Sequence, residues 1–537
     1  MQLNRPTRLI VVALLLAWCF DQLFWRKTPG ISFPIFTLLC LAAGFWLAWV
    51  EKRPIASSSL LLLIPILFFS AMSFLRREPF TQFLNYTFTL WCLALLSITW
   101  MGGKWWQYTL FDHLWSSLRW VGLALAKPSQ LLRSPHPANP ATDAPADQPT
   151  TSSAAPRQFP SKTIAAILRG LLLALPVVFV LAGLLAQADP VFSRELQRLL
   201  KIEKLGEYIF RLFYILIAAY LFSGVLLYLL FSSADEKTTS GEKPLVAPFL
   251  GWLEAATLLF SVDLLYAFFV TVQFKYFFGG QANINLEGFT YAEYARRGFG
   301  ELVIVAILSL LLFLGLSVIA RREQSWPRRV FSGLGVALVA LVGVILVSAF
   351  QRLLLYEAAY GFSRLRTYSH VFMFWLGALL LATILMETTS RLRHFALALV
   401  IASLGFGATL NLLNVDGFVA SQNVARAQQD KALDIPYLVS LSDDSVPTLF
   451  RLFHASQLPQ PVKDKAGATL ACRTALAQGS APTLWPSLNI SQEQARLLLQ
   501  TYQPELDAYP TSQDAGHWQV FINQFPQNCV QPDYWMD

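Results

Sequence analysis

Runs of about twenty apolar residues recur along this chain, and they restrict its fold more than any other feature. A helix needs roughly 20 mostly apolar residues to cross a bilayer core. No water satisfies the backbone there, so only helices and closed barrels can cross. The qualifying runs lie near 8–25, 31–50, 57–75, 83–102, 162–186, 207–231, 248–273, 299–320, 330–350, 368–387 and 394–413. The first contains Asp21, and the eighth opens on Glu301. Charged residues make up 14% of the chain, against roughly 25% in a soluble domain, so lipid must solvate much of the surface. The expected fold class is all-α: a polytopic transmembrane bundle of about eleven helices, followed by a small helical soluble C-terminal domain.

The chain opens like a signal peptide, with Arg5 and Arg8 before an apolar run from Leu9 to Phe20. No small-x-small cleavage site follows, and Trp18 is too bulky to precede a processed Cys19, so the run reads as an uncleaved first helix. Four parts are expected: N-terminal membrane helices at 1–103, an interfacial segment and linker at 104–161, a second membrane domain at 162–413, and the soluble domain at 414–537. Trp105–Ala126, rich in Trp and Leu, suggests a helix lying at the membrane surface. From Pro128 to Pro160 the chain is Pro, Ala, Ser, Thr and Asp, which cannot bury enough apolar surface to order itself, so a disordered cytoplasmic linker is expected. In the soluble domain, Ser491-Gln-Glu-Gln494 reads as a capping box before a helix at Ala495–Tyr502. Ser442-Asp443-Asp444 reads as the start of Val446–Phe453, and no strand alternation is visible.

The net charge of +8 fits Lys and Arg gathered in cytoplasmic loops, and no basic helix or aromatic-basic module points to nucleic acid. Placing the N-terminus in the cytoplasm puts Lys52, Arg53, the linker, Arg321, Arg322, Arg328, Arg329, Arg391 and Arg393 on that side. An odd number of spans then makes the C-terminal domain extracytoplasmic. Cys472 and Cys529 are its only cysteines, and an oxidising compartment would let them pair, the alternative being two free thiols. Cys19, Cys40 and Cys92 lie in apolar runs and read as small core residues.

No phosphate loop, nucleophile elbow or His-Glu-x-x-His appears, and the histidines show no metal-ligand spacing, so no catalytic residue, cofactor or metal is assigned. Intramembrane charge is the remaining signal. Asp21 is placed where it could reach headgroups, and Glu254 at the start of its span could do the same. Asp263 is deep in an apolar run. On a helix it shares a face with Tyr266 and Gln273, a polar stripe that would serve as a proton or solute path, or tie the bundle together. Two loops on the outer side interleave Tyr, Arg and Glu with Gly: Gly288–Glu301 and Leu355–Tyr368. They suggest either a face for an anionic headgroup or an interfacial aromatic belt braced by Arg–Glu pairs.

These loops carry a resemblance. Asp189-Pro-Val-Phe192, Gly288–Leu302 with its Thr-Tyr-Ala-Glu-Tyr-Ala-Arg-Arg-Gly-Phe-Gly-Glu core, Tyr356–Arg366, and Asn414–Arg426 running on to Leu433–Leu438 resemble the bacterial multi-pass family called domain of unknown function 4173, and its relative numbered 4153. The resemblance covers roughly the fifth span to residue 450, and leaves the first four spans and the last stretch unmatched. It implies a bacterial inner membrane and supplies no activity. All four stretches fall on the extracytoplasmic side of the expected topology. The candidate external face is therefore Tyr291, Glu293, Arg296, Arg297, Glu301, Tyr360, Arg366, Asn414 and Arg426. The leading expectation is a scaffold or sensor whose outer face binds an envelope protein or anionic lipid, in addition to the bilayer itself. A transporter or flippase using Asp263 is the second reading. A membrane enzyme on a lipid-linked substrate, with Glu293 or Glu301 as acid or base, is the third.

Overall fold

The computed structural model describes residues 6–132, 205–233, 248–278, 299–321, 324–477, 484–514 and 517–530, with isolated positions between 181 and 191. Among these residues, eight helices are long and apolar enough to cross a membrane. They are α1 (Pro6–Phe24), α2 (Ser32–Val50), α6 (Leu205–Phe231), α7 (Trp252–Phe278), α8 (Phe299–Ile319), α9 (Ser325–Tyr360), α10 (Arg364–Thr388) and α11 (Phe395–Leu413). The third expected run is a 3-10 turn at Ser59–Leu62 continuing into the short apolar helix α3 (Leu63–Leu75). The fourth is α4 (Pro79–Ile98), a helix threaded with Thr81, Gln82, Asn85 and Thr89. The fifth, at 162–186, lies outside the described residues apart from isolated positions.

Two cores hold the bundle. Leu9, Leu47, Ile66, Cys92 and Leu227 join α1–α4 to α6. Leu259, Ala306, Phe313, Leu338 and Met373 join α7–α10. Outward positions such as Leu264, Phe268, Leu308 and Phe374 stay exposed and apolar, as lipid-facing positions do.

The helix expected at Trp105–Ala126 runs as α5 (Leu110–Leu132), five residues into the expected linker and through Pro128. Pro128 sits near the helix end, where the hydrogen bond its ring removes is less costly. One face of α5 packs on α6: a Cβ at Gly224 would fall 1.8 Å from the Ala124 carbonyl oxygen, and the Tyr220 hydroxyl donates to Leu125 O at 2.6 Å. The rest of the expected linker lies outside the described residues.

The helix ends sort into two layers. At one, Ala56 N donates to Trp100 O at 2.9 Å, and Arg321 N donates to Leu250 O at 2.9 Å. At the other sits the C-terminal domain, built from α12 (Val415–Ala427), α13 (Ile435–Ser440), α14 (Val446–Phe453), α15 (Gln460–Ala477), α16 (Ile490–Thr501) and α17 (Gln503–Leu506). Three strands follow: β1 (Thr511–Asp514), β2 (His517–Ile522) and β3 (Phe525–Asn528), in an antiparallel meander. The sequence expectation missed these strands. They are short and mostly exposed, so no buried face imposes alternation. The readable signal is Asn523-Gln524, both at positive φ (50° and 71°), the two-residue hairpin turn that matches strand twist. Cys472 in α15 is bonded to Cys529 after β3. The expected capping box is also corrected. The helix begins at Ile490, and its cap is Asn489, which accepts from Gln492 N at 3.3 Å. Buried Asn489 is held there because its amide also donates to Arg76 O at 2.9 Å.

Candidate functional site

The polar residues that the sequence leaves unexplained gather where the C-terminal domain meets the bundle. Three joints make the contact. The first is at the start of α4. Glu78 caps that helix, accepting from Phe80 N at 2.9 Å and Thr81 N at 2.7 Å, and Tyr368 of α10 donates its hydroxyl to the same carboxylate at 2.5 Å. Asp444, from the 3-10 turn before α14, accepts Arg77 N at 2.8 Å and Glu78 N at 2.9 Å. Burial pushes the Asp444 carboxyl above the usual carboxylate range.

The second joint is Arg364 with Asp416. Arg364 opens α10, and Asp416 sits fully buried in the first turn of α12. The guanidinium makes two bonds of 2.7 Å to the two carboxylate oxygens and reaches Ser440 O at 3.2 Å. Ser442 N donates to the same carboxylate at 2.6 Å. A short turn allows this: Asn414, left-handed at φ 53°, ends α11 and caps α12 by accepting from Gly417 N at 3.3 Å.

The third joint encloses the turn between α9 and α10. Gly361 takes φ 87° there. Asn423 of α12 pairs with Phe362 as a strand would, accepting its N–H and donating to its carbonyl, both at 2.9 Å. Arg426 covers the end of α9 through Ala358 O at 3.1 Å and Ala359 O at 3.2 Å. Arg366 lies over the Tyr356 ring, 4.1 Å from its centroid, and also donates to Gly361 O. Burial, helped by the neighbouring Arg366 charge, holds Arg426 below the ordinary guanidinium range.

Of the expected external face, Tyr291, Glu293, Arg296 and Arg297 lie outside the described residues. Glu301 is exposed in the first turn of α8, and Tyr360 is 55% exposed. Arg366, Asn414 and Arg426 are brought together, but as joints between helices. The residues that organise this interface, Glu78, Arg364, Asp416, Asn423 and Asp444, were not singled out as site residues. Each is an ordinary polar residue until its partner, far away in sequence, is known.

The intramembrane stripe divides. The Tyr266 hydroxyl meets Ser309 Oγ of α8 at 2.7 Å, and Gln273 accepts from Ser348 at 3.2 Å and Arg352 at 3.0 Å, both on α9. Asp263 is 8% exposed, and both carboxyl oxygens are buried without a hydrogen-bond partner among the described residues. The expected tie to a neighbouring helix is therefore absent there. Asp21 does not reach headgroups. It is fully buried and held by Arg211 of α6, whose Nε donates at 3.0 Å. Glu254 caps its own helix by accepting Gly251 N at 2.8 Å.

Two cavities open on the C-terminal domain. One, of about 330 Å³, lies between α12 and α14 and is lined by Leu413, Asn414, Phe418, Thr448, Arg451 and neighbours. The other, of about 530 Å³, lies between α14 and α16 and is lined by Arg451, Phe450, His454, Leu498 and Tyr502 with Pro447. Arg451 lines both. No group of three or more metal-ligating side chains occurs among the described residues.

A family model described as Domain of unknown function (DUF4153) matches residues 63–452. This is the family that the sequence resemblance named second. The match begins at α3, so it takes in helices that the resemblance had left unmatched. It contains all three joints and stops short of Cys472. No curated protein and no solved structure matches the chain.

Proposed function

The chain belongs to the DUF4153 family, and from that premise we propose that it is a membrane scaffold or sensor whose C-terminal domain is an extracytoplasmic working surface locked onto the bundle. One observation carries this reading: among the described residues the domain has no separate core. Leu84, Val371 and Leu410 of the bundle belong to the same buried cluster as Val415, Val419, Val446, Leu449 and Cys472. With the three polar joints, this makes the domain an extension of α4, α10 and α11, so a load on one is felt by the other. A domain tethered for free movement would keep its own core and a wet boundary. The Cys472–Cys529 bond and the placement of Lys and Arg favour an outward-facing domain in a bacterial inner membrane. The division into a front membrane part, a linker, a second membrane part and the outer domain is retained as part of this proposal.

The test places a photo-crosslinking residue at Phe525, which is 72% exposed on the hairpin. A discrete protein or lipid adduct in intact cells is expected, and it should be lost when Arg364→Ala loosens the domain. Absence of any adduct from Phe525 and from exposed Trp485 would overturn the reading.

A second reading, a transporter, is favoured by one observation: the carboxyl of Asp263, which has no hydrogen-bond partner among the described residues. An ionised, unpaired carboxylate in an apolar interior is costly, so the site is suited to bind a proton or a cation. Dicyclohexylcarbodiimide, which labels protonated carboxyls in apolar surroundings, should modify Asp263. Unmodified Asp263 in a labelled, folded sample sinks the proton site.

A further inference from the structure

We propose that the groove between α12 and α14 holds the phosphodiester headgroup of an anionic phospholipid, with Arg451 as its anchor. The inference deepens the external-face reading and rests on it. Leu413, the last residue of the last span, lines the groove, and the preceding Leu412 is 67% exposed. The mouth therefore opens where bilayer hydrocarbon gives way to headgroups. The lining is divided in the same way as a lipid. Leu413, Phe418 and Leu452 offer apolar wall, while Asn414, Thr448 and Arg451 offer polar atoms.

The charge is available. Arg211, Arg364, Arg473 and Arg496 each hold a carboxylate, whereas Arg451 makes no ion pair among the described residues. Its one hydrogen bond among the described residues is to Thr448 Oγ1 at 3.1 Å, and a guanidinium carries five N–H donors. No carboxylate lines either cavity that Arg451 borders. The acid beside the second cavity, Glu505, is taken by His454 at 2.9 Å. A cation without a counter-charge, beside an apolar wall at the membrane surface, is complementary to a phosphodiester carrying acyl chains. Free phosphate would satisfy the guanidinium but leave the wall bare.

The full chain, purified in detergent, should be titrated with phosphatidylglycerol, phosphatidylcholine and inorganic phosphate under native mass spectrometry. Phosphatidylglycerol should bind roughly tenfold more tightly than phosphatidylcholine, whose own choline cation offsets the phosphodiester charge that Arg451 would pair with. Arg451→Ala should abolish that preference, Arg451→Lys should keep part of it, and Arg496→Ala, with the same charge change elsewhere, should leave it intact. A thermal midpoint matching the parent protein certifies each variant as folded. An unchanged preference in Arg451→Ala overturns the headgroup site. Equal competition by inorganic phosphate overturns the lipid as its occupant. Arg451→Cys modified by an impermeant maleimide only from the cytoplasmic side overturns the external-face reading instead, so the two failures are told apart.

Discussion

Arg364 and Asp416, 52 residues apart in sequence, meet through two N–H···O bonds of 2.7 Å, and the carboxylate is fully buried. Removing one member leaves the other charge inside the joint without its counter-ion, which costs about 3–5 kcal/mol. Arg364→Ala and Asp416→Ala should each lower the unfolding midpoint of the purified protein strongly. Replacing both with leucine should cost less than either single change, because no orphan charge remains. A double-mutant cycle by denaturant or thermal melt checks this.

Gly361 carries the turn that the third joint encloses. At φ 87° any side chain is strained, and an added Cβ would lie 2.5 Å from Arg426 Nη1 and 2.8 Å from Asn423 Oδ1. Gly361→Ala should therefore destabilise by about 1–3 kcal/mol. In an Arg426→Ala background the penalty should shrink, because one of the two clashes is gone while the backbone strain persists. Comparing the two midpoint shifts separates strain from collision.

The membrane helices were legible because lipid enforces a length and an apolarity that a single sequence displays on its own. Ten of the expected runs coincide with described helices. The interface was not legible, for a physical reason. Asp416 is one acid in a polar segment, and nothing local marks it as the partner of Arg364. The same holds for the reciprocal amide pair of Asn85 and Asn411, bonded at 3.0 and 2.8 Å across 326 residues. Arginine is equally silent in sequence: Arg364 satisfies a buried acid and Arg426 the carbonyls at a helix end, and neither role is marked by its neighbours along the chain. Arg451 likewise carries no local mark: that it makes no ion pair among the described residues is visible only in the fold.

The disulfide closes a separation of 57 residues between α15 and the end of the hairpin. In the chain-entropy account a loop of that length is worth about 4 kcal/mol, mainly by restricting the unfolded state. Cys472→Ser with Cys529→Ser should lower the denaturation midpoint of the purified protein, and leave its helicity under native conditions unchanged. Circular dichroism with and without dithiothreitol measures it, and the double variant should no longer respond to the reductant.

Asp444 gives the interface a pH dependence. Burial raises its pKa in the fold, so the folded protein holds that proton more tightly than the unfolded chain does. Its contribution to stability is present in full below the ordinary Asp value of about 4. It is lost as pH rises from there through the raised folded value, and is flat above. Asp444→Asn still accepts the N–H groups of Arg77 and Glu78 but does not titrate. The difference between the two proteins' midpoints across that range should show the slope, and other acids cancel in it.

Asp263 discriminates between a structural acid and a functional one. A carboxyl that ties helices together loses partners when it is replaced, so its removal destabilises. Asp263 has no partner to lose among the described residues, while Tyr266 and Gln273 on the same helix do. Asp263→Leu should therefore relieve an unsatisfied buried polar group and stabilise the bundle, by about 1–3 kcal/mol. Tyr266→Phe, which removes the bond to Ser309 on α8, should move the midpoint the other way. A lower midpoint for Asp263→Leu would return the residue to the structural class. A higher one would mean that the chain keeps a destabilising acid inside its membrane domain, which stability alone does not explain and a proton or cation does.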